Sequence, residues 1–252
     1  MCTVTWWQSS EYSAYEVFFN RDEDSSRDSA SPPRQAYSRG MTYLAPAATD
    51  HGGPWFLVNT HGVCLALLNH YPEDPALPDA PRSRGRLLRD MADSPSLTTL
   101  ATRLSREDMT CYNAYHLLAF ARGERPRLWT WDTDNLHELP LNEKRPMLTA
   151  SSHLSAEVQR HREELFAREW SAAGRLEPAH LAQFHLHREL HRPAYGVLMD
   201  HPEARTTSIS HLKVGPEPQA VLSYQSRPPE LGALPEPAII AQMDLSVLTP
   251  AL

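Results

Sequence analysis

The chain has 252 residues, 41% of them hydrophobic and 22% charged, which is enough to bury a full core and far from the composition of a disordered protein. Its net charge of −7, with 24 Lys and Arg spread along the sequence, offers no clustered basic face and excludes a nucleic-acid surface. Three widely spaced cysteines form neither CxxC pairs nor a disulfide framework, and neither a signal-like opening nor a run of ~18 apolar residues is present, so the expectation is a cytoplasmic protein without a membrane span.

In chain order, residues 2–7 and 15–20 are rich in β-branched and aromatic side chains and flank the polar 8–13 stretch, which predicts a hairpin with its open ends at one rim. Residues 23–33, rich in Asp and Ser, predict a surface loop. Residues 55–60 and 63–69 predict a second hairpin turned at His61-Gly62, where glycine supplies backbone freedom. A short helix is expected over 83–91, a strand pair at 115–121 and 128–131 around Arg122-Gly123, and another short strand at 147–150.

The strongest helix starts behind Ser155 as N-cap, carries Val158, Leu165, Phe166 and Trp170 on one face, and stops at Gly174. A second, with Pro178 in its first turn, is expected to run to about Leu190. Strands follow at 196–199, 206–214 and 220–224, then a Pro-rich extended tail from about 227. Strands, then helices, then strands joined by short turns predict one α+β domain over 1–252, built on antiparallel sheets covered by helices.

The chemistry concentrates at the start. Cys2 follows Met1, so removal of Met1 would place a nucleophile and an amine on one residue. The amine titrates near ~7.7–8.0 and the thiol near ~8.5, so both exchange protons close to neutral pH. The polar run Asn20-Arg21-Asp22-Glu23 closes the second strand of the same hairpin. Because side chains alternate along a strand, Asn20 and Asp22 share one face and Arg21 and Glu23 the other, and only one pair faces Cys2. An arginine there would hold the thiolate or a substrate carboxylate; an aspartate would orient the α-amine.

Other features are weaker. His180, Phe184, His187 and His191 would make a stripe on one helix, able to offer imidazoles to haem iron or another metal. His187-Arg188-Glu189-Leu190-His191 lacks the glutamate placement of HExxH, and nothing supports zinc chemistry. Gly52-Gly53 reads as a turn, Cys64 and Cys111 as packed thiols, and Ser83-Arg84-Gly85-Arg86 as a helix start whose arginines could meet an anionic group.

Taken together, Met1-Cys2-Thr3, the Asn20 to Glu23 tetrad, Gly52-Gly53-x-Trp55, the 62–69 run, Ser83-Arg84-Gly85, Tyr112-Asn113 and Arg205-Thr206-Thr207-Ser208 resemble the NRDE family, also called the transport and Golgi organisation 2 family. The resemblance implies an N-terminal-nucleophile hydrolase fold, a four-layer αββα sandwich, opening like the bile-salt and penicillin amidases that use such a cysteine. It implies that Cys2 attacks an amide carbonyl, that its α-amine moves the proton, and that water opens the acyl-enzyme. Arg21 and Asp22 would position the reactants and Asn69 would donate to the oxyanion. Those amidases separate the arginine and aspartate by two residues where Arg21 and Asp22 are adjacent, and they carry an asparagine where this chain has Thr149-Ala150-Ser151-Ser152, so Ser151 would donate instead. Asn20, Glu23, Arg84, Asn113 and Arg205 complete the substrate contacts. The substrate is a small molecule, no metal or cofactor is required, and a homo-oligomer is left open. The competing class is a binding or trafficking protein for haem or an acyl-lipid, with His187 and His191 as the haem ligands.

Overall fold

The computed structural model describes residues 2–27, 30–47, 53–71, 82–142, 144–152, 154–173 and 176–245. Met1, Gly52, the 72–81 stretch, the expected helix stop at Gly174 and the end of the tail from 246 lie outside these residues.

The strands are β1 (Cys2–Gln8), β2 (Tyr15–Asp24), β3 (Ser31–Ser38), β4 (Met41–Ala47), β5 (Phe56–Asn59) and β6 (Cys64–Asn69), then β7 (Tyr115–Ala121), β8 (Glu124–Trp131), β9 (Leu136–Leu139), β10 (Met147–Ala150), β11 (Ala204–Val214), β12 (Gln219–Ser226) and β13 (Ile239–Asp244). The helices are α1 (Arg84–Asp90), α2 (Leu97–Leu104), α3 (Ser155–Ala173) and α4 (Pro178–His185). One sheet has the order β10-β1-β2-β11-β12-β13 and the other β3-β4-β5-β6-β7-β8-β9. Every neighbouring pair is antiparallel.

Three apolar layers define the stack. Val4, Trp6 and Phe19 of the first sheet meet Phe56, Leu68 and Phe120 of the second. Leu87 and Leu88 of α1 and Leu97, Leu100 and Leu104 of α2 cover the outer face of the second sheet. Leu165 and Phe166 of α3 and Leu181 and Phe184 of α4 cover Phe18 and Met147 of the first. This is the expected αββα order, and each large apolar side chain so buried stabilises by about 1.5–3 kcal/mol. No helix among the described residues is long and apolar enough to cross a membrane.

Several expectations change in detail. The 23–33 loop is shorter than expected, because β2 runs on to Asp24 and β3 begins at Ser31. The helix expected to reach Leu190 ends at His185, with Leu186 as its cap. Asn20 explains the stop: its Nδ2 donates to the His185 and Val197 carbonyls, both at 2.9 Å. The 196–199 stretch is not a strand of either sheet, since its carbonyls are taken by side chains: Arg162 donates to Gly196 at 2.7 Å and Arg227 to Met199 at 2.7 Å. Part of the tail is ordered as β13 against β12. Helix α2 went unread although Ser96 caps it through the Thr99 N–H and leucines recur at 97, 100 and 104.

Candidate active site

Cys2 is the first residue of β1, in register between Arg21 of β2 and Ala150 of β10. Directly opposed residues of an antiparallel pair share a face. Cys2, with Val4 and Trp6, faces the space between the sheets, so Arg21 and Glu23 are the pair on its side. The sulfur is buried, with 7% of the residue exposed.

Arg21 is fixed from three directions. Its guanidinium lies 4.3 Å over the Trp55 ring, pairs with Glu23 at 2.7 Å and donates to Thr207 Oγ1 at 3.2 Å. Thr207 is the extra residue of a bulge in β11 between Thr206 and Ser208, opposite Arg21 and Asp22; the bulge re-aims its side chain.

Asp22 points the other way, into the helix layer, and is fully buried there. Thr206 Oγ1 donates to it at 2.6 Å, and Arg162 of α3 lies 3.5 Å away with neither side chain exposed. Burial raises the Cys2 thiol above its ordinary value; the positive amino terminus opposes the rise, the Asp22 charge adds to it, and the Asp22 backbone dipole and Arg21 oppose it further.

Arg162 is the residue that sequence reasoning missed. It donates to Thr3 Oγ1 at 3.0 Å, Thr149 Oγ1 at 3.2 Å and the Gly196 carbonyl at 2.7 Å, tying the Cys2 strand β1 and its neighbour β10 to the 194–196 segment. Its signal was present: an arginine four residues after Val158 and three before Leu165, on the apolar stripe of α3.

A cleft of about 270 Å³ opens at this rim, lined among others by Asp22, Glu23, Asn69, Tyr71, Ser152 and Met199. Asn69 Nδ2 donates to Tyr71 Oη at 3.0 Å. Ser151, next to the Ala150 that pairs with Cys2, is fully buried. Arg84 is half-buried nearby: Cys2, Tyr71 and Glu23 are all within its electrostatic reach, and burial lowers its pKa from the usual arginine value. Arg84 Nη1 donates to the Ala114 carbonyl at 2.9 Å. Asn113 precedes Ala114, and its Oδ1 is buried without a hydrogen-bond partner among the described residues.

Two glycines deliver Arg84. A Cβ built on Gly85 would lie 2.6 Å from the N and O of Gly53, and one on Gly53 would lie 2.1 Å from the Gly85 carbonyl oxygen. Backbone meets backbone there, and only glycine fits. The same segment continues into Trp55, so one joint fixes Arg84 and the platform under Arg21. Gly53 is thus a packing joint rather than a simple turn.

The remaining candidates stand apart from the cleft. Asn20 faces the helix layer, where its Oδ1 meets His185 Nδ1 at 2.7 Å, so it is no substrate contact in this arrangement. Arg205 is opposite Glu23 in register, but it donates to the Pro228 carbonyl, and its Nε and Nη1 are buried without hydrogen-bond partners among the described residues. The histidine stripe does not form, because α4 ends before His187. His187 lies 3.4 Å from Glu189, His191 is exposed, and no metal-capable cluster of three or more such residues exists among the described residues. A larger hollow of about 550 Å³ opens at the Gln8 end of β1, between Trp6 and Arg127, and none of the candidate residues lines it.

Comparison with known proteins bears on the family and the fold. A family model described as Transport and Golgi organisation 2 matches residues 1–179. No curated protein matches the chain. Solved structures do. The C2A mutant of conjugated bile acid hydrolase from Clostridium perfringens aligns at TM-score 0.56 and 11% identity over 100% of both chains. A Caenorhabditis elegans orthologue of N-acylethanolamine-hydrolyzing acid amidase aligns at 0.56 and 10% identity over 84% of this chain and 92% of that one. Penicillin V acylase from Agrobacterium tumefaciens aligns at 0.53 and 10% identity, covering 96% and 86%. At such identities the likeness is one of fold, and the fold is that of the N-terminal-nucleophile hydrolases.

Proposed function

The chain belongs to the Transport and Golgi organisation 2 family, and from that premise we propose that it is a cysteine-dependent hydrolase of a carbon–nitrogen bond in a small molecule. One observation carries the reading: Cys2 heads β1 on the same face as an arginine held by three partners, Trp55, Glu23 and Thr207, at the rim where Glu23 and Asn69 line a cleft. That the fold neighbours hydrolyse amides supports it.

On this reading Met1 is removed and the α-amine belongs to Cys2. The amine takes the thiol proton and the thiolate adds to the amide carbonyl. As the C–N bond breaks, the protonated amine returns a proton to the leaving nitrogen, leaving an acyl thioester. Water, deprotonated by the same amine, then releases the acid and restores the thiol. Asn69 Nδ2 is the proposed oxyanion donor, turning from Tyr71 when substrate binds; one such donor contributes about 2.7–4 kcal/mol in the transition state. Ser151 and Asn113 are proposed to help orient the amide, and Arg205 to brace Glu23 from the next strand. All three cysteines are free, consistent with the proposed reducing, cytoplasmic setting. The scheme uses no cofactor.

The test is release of free amine from a panel of N-acyl amides. The purified chain should release amine from at least one, and Cys2→Ala should abolish it. Equal release by the variant would overturn the assignment.

A further inference from the structure

We propose that Arg84 anchors an anion subsite, so that the amide cleaved at Cys2 carries a carboxylate, as an N-acyl amino acid does. This deepens the hydrolase reading and rests on it for the word substrate, though the subsite itself is testable without turnover.

Arg84 presents five N–H donors in a rigid fork. One nitrogen, Nη1, is spent on the Ala114 carbonyl at 2.9 Å. Among the described residues no carboxylate lies within ion-pair distance of it. The acids around it are already engaged: Glu23 by Arg21 at 2.7 Å and Arg27 at 3.5 Å, Asp22 by Arg162 and Thr206. Of the carboxylates that line the cleft, Asp22, Glu23, Asp24 and Glu203, Glu23 is the one within electrostatic reach of Arg84, and it is shared with Arg21 and Arg27. A guanidinium half out of water with no carboxylate in direct contact is costly to keep, yet the fold holds it there through the Gly53–Gly85 backbone contact. Tying one carbonyl would not need an arginine. Bidentate recognition of a carboxylate would.

The alternative duty for the same charge is to stabilise the Cys2 thiolate, and the experiment separates the two. The Cys2→Ala chain is titrated by calorimetry with N-octanoylglycine and with N-octanoylglycinamide, which differ only in the charge. The acid is expected to bind at least about tenfold tighter, the scale of one charge-assisted pair. Arg84→Gln in the same background should erase the preference while leaving the carboxamide affinity within about twofold, and Arg84→Lys should keep part of it. Equal binding of the two compounds, no binding of the acid, or a preference that survives Arg84→Gln overturns the proposal.

In the chain that retains Cys2, the pH profile of iodoacetamide alkylation is compared with and without Arg84→Gln. A shifted profile together with an unchanged carboxylate preference would assign the arginine to the thiolate and sink the subsite. Thermal melts confirm that each variant folds; if Arg84→Gln does not, the acid-to-amide ratio of Arg84→Lys decides, and a ratio equal to that of the arginine protein counts against the proposal. Failure of amine release with a retained preference would remove the hydrolase reading and leave the subsite standing.

Discussion

Replacing Arg162 by methionine probes what holds the Cys2 strand in place. The guanidinium and the Asp22 carboxylate are 3.5 Å apart with no exposure of either, and the methionine fills similar volume without charge. Removing one partner of a buried pair leaves the other uncompensated and costs about 3–5 kcal/mol. Against a total stability of about 5–15 kcal/mol, that is a large fraction, and for a chain of this size it lowers Tm by about 6–20 °C. The same change frees Thr3, Thr149 and the Gly196 carbonyl, so local opening at β1 should rise as well. Urea denaturation of the parent, Arg162→Met, Asp22→Asn and the double variant gives the coupling directly, and about 1–3 kcal/mol is expected, with the double variant less damaged than the sum. A cost below about 1 kcal/mol for Arg162→Met, or strict additivity, would refute the reasoning that this pair anchors the site.

Gly85→Ala sets two effects against each other. Helix propensity alone would stabilise α1 by up to about 1 kcal/mol, whereas the 2.6 Å contact with the Gly53 backbone forces a shift costing about 1–3 kcal/mol. Denaturation should show net loss of stability, and a gain would mean that the joint is not tight. Acid stability reports the buried histidines: burial lowers both His185 and His116 to about 3. Both are neutral in the folded chain while the unfolded chain protonates near ~6.5, so their contribution is complete above that pH and is lost as pH falls toward 3, by up to about 1.4 kcal/mol per unit for each. Urea midpoints at pH 7.0 and 4.5 should therefore diverge, and His185→Gln should flatten the dependence; an unchanged slope would contradict the assignment.

Where local pattern and tertiary structure agreed, the sequence was readable. The 2–7, 15–20, 63–69 and 115–121 strands carry β-branched and apolar runs that no other element could use, and α3 begins at Ser155 and buries Val158, Leu165 and Phe166. Alternation alone divided the Asn20 to Glu23 tetrad correctly between two faces, and the register then showed which face Cys2 shares. What escaped was non-local. The edge strand β3 and its neighbour β4 contain prolines at 32, 33 and 46, which argue locally against strands; Pro32 and Pro33 fall at the register shift between Ser31 and Arg34, and Pro46 lies beyond the Tyr43-Leu44 stretch that pairs with β5. The end of α4 is decided by Asn20, 165 residues away in sequence. The contact between Gly53 and Gly85 links two motifs that each resembled an isolated turn. Arg162 was hidden because an arginine on a helix usually marks the solvent side.

The measurement closest to the central claim is intact mass of the purified chain before and after exposure to a thiol-reactive acyl probe, with the site of addition located by peptide mapping. The account expects a chain that lacks Met1 and takes up one acyl group on Cys2, with no uptake by Cys2→Ala. Retention of Met1 in protein that turns over, or acylation confined to Cys64 or Cys111, would contradict it.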